Sequence, residues 1–452
     1  MNDTIAAIAT ATGNAALGII RISGPSAGDV LQRVAPVAGK KARQHPGQLR
    51  FGRALDASTG EVVDEVLCFF AKGPGTATGE DVAEIHGHGG TLVLNQLLAL
   101  ACRAGARLAL PGEFTRRAYT SGKLDLTQAE AVMSLIGARS ELAARTAAKQ
   151  LGGAIGDALA DEYEHVTNIS AGLETCLDFP DEDLPKEMVS EFIGRLSQVI
   201  EKLQAAVQSW KLGQMLTKGA KVVIAGPSNA GKSSLLNALI HEDRALVDSV
   251  PGTTRDIVEA SYEINGIPVT FLDTAGLRFG AQKVELMGME KSRKALAQAD
   301  LILLVFDGAA PQTADAEILR ILESHKDNTL PVLNKCDHRE FTPSAFPEAI
   351  RQGVQVSAAQ NLNLDVLQQQ MAGRLSSERA TDLILTTARQ LDAVETTLDH
   401  VITARHILKK GGEPELAAAD MRWAREALAA LWGKDSQTDM IDAIFSSFCL
   451  GK

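Results

Sequence analysis

Apolar positions change their spacing three times along the chain. Up to about residue 118, short runs such as Gly18–Ser23 (GIIRIS) and Glu65–Phe70 (EVLCFF) alternate with glycine-rich turns such as GHGG at 87–90, which predicts a mixed α+β domain. From Leu124 the texture becomes Ala-rich and helical. Leu126, Ala129, Met133 and Ile136 step by three or four residues, as one helical face does. Ile193, Leu196, Ile200, Leu203, Val207 and Trp210 repeat that spacing up to the breaker Lys218-Gly219. Between them, the acidic, Pro-punctuated stretch 178–185 predicts a solvated loop.

A third pattern starts at Lys221. The runs 221–225 (KVVIA), 269–273 (VTFLD), 301–307 (LILLVFD), 330–335 (LPVLNK) and 354–358 (VQVSA) are short and β-branched, with helical segments between most of them. Continuous apolar strands are what a parallel sheet covered on both faces requires. The prediction is a doubly wound α/β domain of about 150 residues. Leu391, Val394, Leu398 and Val401 then return to helical spacing. An apolar helical face before the α/β segment and another after it are best covered by each other, so the α/β domain is predicted to be inserted into a helical one. The expected boundaries are 1–118, 119–218, 219–376 and 377–452, an α/β plus α architecture.

The length of 452 residues fits this reading of several domains. The net charge of −11 excludes a uniformly basic nucleic-acid coat, although residues 1–55 hold seven basic side chains against Asp3 and Asp29. Cys68, Cys102, Cys176, Cys336 and Cys449 lie far apart with no CxxC, which matches neither a zinc site nor a disulfide framework. The start, MNDTIAAIATATGN, lacks a basic stretch followed by an apolar one, and 301–306 is too short to span a bilayer. A cytoplasmic protein without membrane attachment is expected.

Residues 226–233, Gly-Pro-Ser-Asn-Ala-Gly-Lys-Ser, follow a strand and open an apolar helix. That context suits a phosphate-binding loop formed by Gly226, Asn229, Ala230, Gly231, Lys232, Ser233 and Ser234. Its backbone N–H groups wrap phosphates, Lys232 reaches the β/γ-phosphates, and Ser233 ligates Mg²⁺. Asp273-Thr274-Ala275-Gly276 ends a later strand, where the Asp supports Mg²⁺ and the Gly N–H faces a γ-phosphate. Asn334-Lys335-Cys336-Asp337 ends another, and the Asp337 carboxylate can accept both N–H donors of guanine's edge. Ser357-Ala358 ends the last strand, and Thr254 stands where a switch threonine would ligate Mg²⁺. Four ordered matches predict a GTP-binding domain. The position after Gly276, where Ras-type domains carry a water-orienting Gln, is Leu277. Glu285 and Glu290 are carboxylates in the following stretch, and a monovalent cation at Asn229 would supply positive charge.

GIIRISG (18–24), TGEDVAEIHGHGG (78–90), PGEFTRRAY (111–119), GKLDLTQAEAV (122–132) and the terminal FSSFCLGK (445–452), together with the GTPase motifs, resemble the bacterial tRNA-modification GTPases called MnmE or TrmE. The resemblance covers nearly the whole chain. It implies an N-terminal folate-binding and dimerisation domain and a Ras-like GTPase domain within a helical one. It implies K⁺ at Asn229, Asp248, Val250 and Thr253, Mg²⁺ at Ser233 and Thr254, and Glu285 as the catalytic acid. By the same match Ser249, Pro251 and Gly252 join the GTP site. Arg21, Glu84, Lys123 and Lys452 are implied to contact 5-formyl- or methylene-tetrahydrofolate. A homodimer is implied to work with an FAD-dependent flavoprotein as a heterotetramer, placing an aminomethyl or carboxymethylaminomethyl group at C5 of the wobble uridine of certain tRNAs. A ribosome-assembly GTPase switch is the alternative, though no basic RNA module follows residue 380. Arg21, Glu84 and Lys123 could also be surface ion pairs, and Cys449 either packs or reacts.

Overall fold

The short apolar runs of the first 110 residues contribute to a six-stranded sheet. A computed structural model describes residues 3–11, 13–177, 185–242, 262–272, 295–310, 323–375, 383–434, 438–446, 448 and 451. They fall into two units: Met1–Met133 with Gln150–Gly156 and Arg425–Lys452, and Ser134–Lys149 with Asp157–Ala424.

In the first unit, β1 (Ile5–Ile8), β2 (Ala15–Ser23), β3 (Arg50–Leu55), β4 (Val62–Ala71), β5 (Val82–Gly89) and β6 (Arg107–Leu108) lie in the order β3-β4-β5-β2-β1-β6. Neighbours are antiparallel except β1 and β6. Ile20, Ile22, Val66, Cys68, Ala83 and Ile85 form its apolar face. Against it pack Val30, Leu31, Leu94 and Leu97, from α1 (Ala27–Val34) and α3 (Thr91–Arg103), and Ala38 of α2 (Pro36–Gln44). Each large aliphatic buried here contributes about 1.5–3 kcal/mol. The alternate positions of β2 and β5 put Arg21 opposite Glu84 and Ile19 opposite His86.

The end of the chain belongs to this unit for a packing reason. Phe445 and Phe448 are buried with Leu126 and Ala129, beside Tyr119 and Met133, from α4 (Glu113–Thr120) and α5 (Leu126–Ile136). The rings of Phe445 and Phe448 are 5.2 Å apart at 48°. Gly451, at φ +88°, lies so close to β1 that a Cβ there would stand 2.2 Å from the Ile8 carbonyl oxygen. Of the predicted helical face at 126–136, the last residue, Ile136, is 48% exposed because the helix ends there.

The second unit contains most of α6 (Glu141–Leu151) and α7 (Ala154–Leu177), and all of α8 (Lys186–Lys218). A second sheet follows: β7 (Ala220–Ala225), β8 (Tyr262–Ile264), β9 (Ile267–Leu272), β10 (Leu301–Asp307), β11 (Thr329–Asn334) and β12 (Val354–Gln355), ordered β12-β11-β10-β7-β9-β8. All pairs are parallel except β8 with β9; β9 matches the strand predicted at 269–273, whereas β8 has no counterpart among the predicted strands. Leu301, Leu303 and Val305 of β10 enter one core with Leu235 and Leu239 of α9 (Lys232–Glu242). Ile302, Leu304 and Phe306 enter the other, with Ile350 of α10 (Glu348–Arg351). This two-sided burial explains the unbroken apolar run of β10. α11 (Leu364–Leu375) completes the α/β layer, and α12 (Ala388–Lys410) and α13 (Pro414–Ala429) follow. α8 and α12, which bracket the sheet in sequence, pack along one another. α12 starts with a capping box in which the Thr387 and Gln390 side chains satisfy each other's backbone N–H. Among the described residues no helix is long and apolar enough to cross a membrane.

Candidate nucleotide-binding site

β7 delivers the chain to the carboxyl edge of the second sheet, the side where open α/β sheets bind ligands. There it turns through Gly226–Gly231 into α9. Two glycines are required by the space around them. At Gly226 (φ +140°) a Cβ would lie 2.1 Å from the Val305 carbonyl oxygen, and at Gly231 (φ +88°) 2.2 Å from Asn334 Nδ2. Asn229 adopts φ +65°, a conformation Asn tolerates better than most residues. Its side chain is exposed, as are Ser233 and Ser234 in the first turn of α9, whose free N–H groups favour an anion. Lys232 folds across the loop and donates to the carbonyls of Gly226 (2.9 Å) and Pro227 (2.7 Å). Burial holds its pKa below that of an ordinary lysine.

Asn334, at the end of β11, is buried and bridges two loops. Its Nδ2 donates to the carbonyl of Ala230 (2.9 Å), and its Oδ1 accepts from the N–H of Ala358 (3.1 Å). Lys335 turns at φ +65°, and its ammonium lies 2.5 Å from Asp307 Oδ2. Asp337 is exposed in the turn that follows, free to meet a ligand edge. Ser357 is fully buried and exchanges backbone hydrogen bonds with Leu362. Three sequence motifs, at 226–233, 334–337 and 357–358, thus converge on one edge. Asp248, Ser249, Val250, Pro251, Gly252, Thr253, Thr254, Asp273, Thr274, Ala275, Gly276 and Glu285 lie outside the described residues, although β9 ends at Leu272, directly before Asp273.

The second candidate site is on the sheet of the first unit. Glu84 accepts from Arg21 Nε (3.0 Å) and pairs with His86 Nε2 (3.0 Å). The His86 hydrogen bond, with Arg21 beside it, outweighs burial and keeps the Glu84 carboxyl below its usual pKa. Lys123 is exposed in the turn after α4, beside Gly79. Among the described residues no hydrogen bond or ion pair joins it to Arg21 or Glu84. Lys452 and Cys449 lie outside the described residues, and their neighbour Gly451 is seated against Ile8.

Sequence reasoning missed the group that holds this region together. Arg117, 2% exposed, reaches Asp3 (2.9 Å), Glu80 (2.9 Å) and Glu113 (3.0 Å), and donates to the Asp3 carbonyl. Glu80 in turn accepts from Ser23, two residues along β2 from Arg21. PGEFTRRAY and TGEDVAEIHGHGG are therefore clamped to each other. His88, flagged only as a turn residue, donates its backbone N–H to Asp64 and pairs with it through Nδ1 (2.6 Å), which raises the imidazole pKa.

Comparison with known proteins agrees with this layout. Residues 126–449 match the family model of the MnmE helical domain, and residues 4–123 match that of the GTP-binding protein TrmE N-terminus. The chain is 38% identical to the tRNA modification GTPase MnmE of Streptococcus pneumoniae TIGR4, over 100% of this chain and 99% of that protein. It is 36% identical to the MnmE of Desulforamulus reducens over the full length of both. The chain belongs to the MnmE family of tRNA modification GTPases. Both candidate sites fall within the MnmE matches: Arg21, Glu84 and Lys123 inside the TrmE N-terminal segment, and the 226–358 motifs inside the helical-domain segment. Among solved structures, the G domain of the T. maritima FeoB iron transporter is 23% identical, with a TM-score of 0.24, covering 34% of this chain and 98% of that one.

Proposed function

We propose that this chain is a K⁺-dependent GTP hydrolase of tRNA modification, working as a homodimer with an FAD-dependent flavoprotein. In this reading the complex installs an aminomethyl or carboxymethylaminomethyl group at C5 of uridine 34 in certain tRNAs. The observation that carries it is the convergence of the Gly226–Ser233 loop, Asn334 and Ala358 at one sheet edge, with Asp337 exposed beside them. Residues 219–376 are read as the GTPase domain, 119–218 and 377–452 as the helical domain, and 1–118 as the folate-binding domain.

Each residue has a task. The loop N–H groups and Lys232 hold phosphates, once Lys232 releases the two carbonyls it now occupies. Asp337 accepts from guanine. Glu285 orients the attacking water, taking the part of the Gln replaced by Leu277. Ser233 and Thr254 would hold Mg²⁺, and Asn229, Asp248, Val250 and Thr253 would hold K⁺. The exposed Ser233 and Asn229 side chains suit these cations, whose positive charge stabilises the charge that builds on the transferring phosphoryl group. Arg21 and Glu84, half-buried on the sheet, suit the pterin edge and anionic tail of a reduced folate, with Lys123 and Lys452 completing the set.

The test compares GTP turnover in K⁺ and Na⁺ at equal ionic strength, for the wild type and Glu285→Ala. Turnover should be higher in K⁺, and Glu285→Ala should lose it by orders of magnitude with GTP affinity nearly intact. Equal rates in the two salts, or an active Glu285→Ala, would refute the mechanism.

A further inference from the structure

Lys335, inside the 334–337 motif, contacts Asp307, which belongs to none of the sequence motifs. Lys335 follows Asn334, which grips the phosphate loop through Ala230, and comes two residues before Asp337. It holds φ +65°, a left-handed conformation that costs a long side chain about 1–2 kcal/mol. Such strain persists only where the surroundings over-determine it. Asp307 supplies that constraint. It ends β10, directly across from Asn334 in the parallel register. Its Oδ1 accepts from the Ala309 N–H (3.0 Å), which fixes the carboxylate, while Oδ2 takes the Lys335 ammonium at 2.5 Å. The aspartate side chain is 18% exposed and the lysine side chain 39%, so the pair is partly shielded while part of Lys335 stays open to a ligand.

We infer that Asp307 is a positioning residue of the nucleotide site. By anchoring the ammonium, it sets the Lys335 stem as one wall of the slot for base and ribose. The inference rests on the nucleotide reading of this edge. It separates two tasks there: Asp337 selects the base, whereas Asp307 sets how long any guanine nucleotide stays.

Asp307→Asn isolates the effect, because the amide oxygen can still accept from Ala309 while the charge that holds Lys335 is gone. Stopped-flow fluorescence with N-methylanthraniloyl-labelled GDP and GTP should show about tenfold faster dissociation and a matching rise in Kd for both nucleotides. The kcat at saturating GTP and the preference for GTP over xanthosine triphosphate should be unchanged. Asp307→Glu should recover part of the residence time. Asp307→Asn combined with Lys335→Met should be no worse than Lys335→Met alone, since the two act as one unit. Unchanged dissociation in Asp307→Asn would overturn the assignment. So would a fall in kcat or melting temperature that tracks the lost affinity, because Asp307 would then merely hold its turn. A wild-type protein that bound neither probe would instead overturn the nucleotide reading itself.

Discussion

Replacing Arg117 by Met removes the hub of the first unit while keeping most of its volume. The guanidinium is 2% exposed and is engaged by Asp3, Glu80 and Glu113 at 2.9–3.0 Å. Breaking a buried ion pair by deleting one partner costs about 3–5 kcal/mol, because a charge is left uncompensated. Here the lower figure applies. Glu113 keeps Arg107, with contacts of 2.6 and 2.8 Å, and the Leu110 N–H at 2.8 Å. For a unit of roughly 170 residues, about 3 kcal/mol lowers the melting temperature by about 6–12 °C. Trp432 lies in this unit against Gly156, whereas Trp210 and Trp423 lie in the other. In a Trp210→Phe/Trp423→Phe background, Trp432 fluorescence therefore follows the first unit alone. Arg117→Lys should rescue little, since one ammonium cannot span three carboxylates as a planar fork does. A drop of less than about 2 °C on Arg117→Met would refute the claim that this network holds the unit together.

Two further outcomes follow from the same unit. Gly451→Ala places a methyl group 2.2 Å from the Ile8 carbonyl oxygen at φ +88°, so the tail bearing Cys449 and Lys452 must lift. tRNA modification should be lost while GTP binding, measured by fluorescence titration, stays intact; full modification would refute a role for the seated tail. Glu84 has its carboxyl pKa lowered chiefly by the His86 hydrogen bond. For Asp3 and Glu113, arginine hydrogen bonds outweigh the upward effect of burial. Their stabilisation is thus complete above the unfolded carboxylate range, about pH 4–4.5, and is lost as pH falls through the lower native values. The Trp432 melting temperature should fall steeply on acidification through pH 4, and less steeply in Arg117→Met; parallel slopes would contradict this.

How much could be read in advance depended on the range of the interactions. β7, β10 and β11 were legible because both of their faces are buried, which leaves continuous apolar runs. The phosphate loop was legible because its chemistry is local: Gly226 and Gly231 answer to crowding that any such loop creates. β9 was legible in the run at 269–273, but its hairpin partner β8 was not, since β8 has three residues, too few for periodicity to register. The run at 354–358 yields only a two-residue strand, because Ser357 leaves β11 to pair with Leu362.

Arg116 and Arg117 show where local reading ends. They are adjacent and chemically identical, yet about 100° apart around α4. Arg116 is partly exposed and pairs with Asp442, whereas Arg117 turns inward to Asp3, 114 residues away. Hydrophobic periodicity scores both as solvent-facing, since it treats charge as a reason for exposure. What buries Arg117, besides Glu113 one turn earlier on its own helix, is a pair of carboxylates, Asp3 and Glu80, brought in from separate segments, a fact that exists only once the chain has folded. Asp307 is the same case in the second unit. As the last residue of an apolar strand it looks like a strand end, and only the parallel register of β10 and β11 brings it to Lys335. Motifs name the groups that touch a ligand. The residues that aim those groups arrive through sheet register and helix rotation, and a single sequence carries neither in legible form.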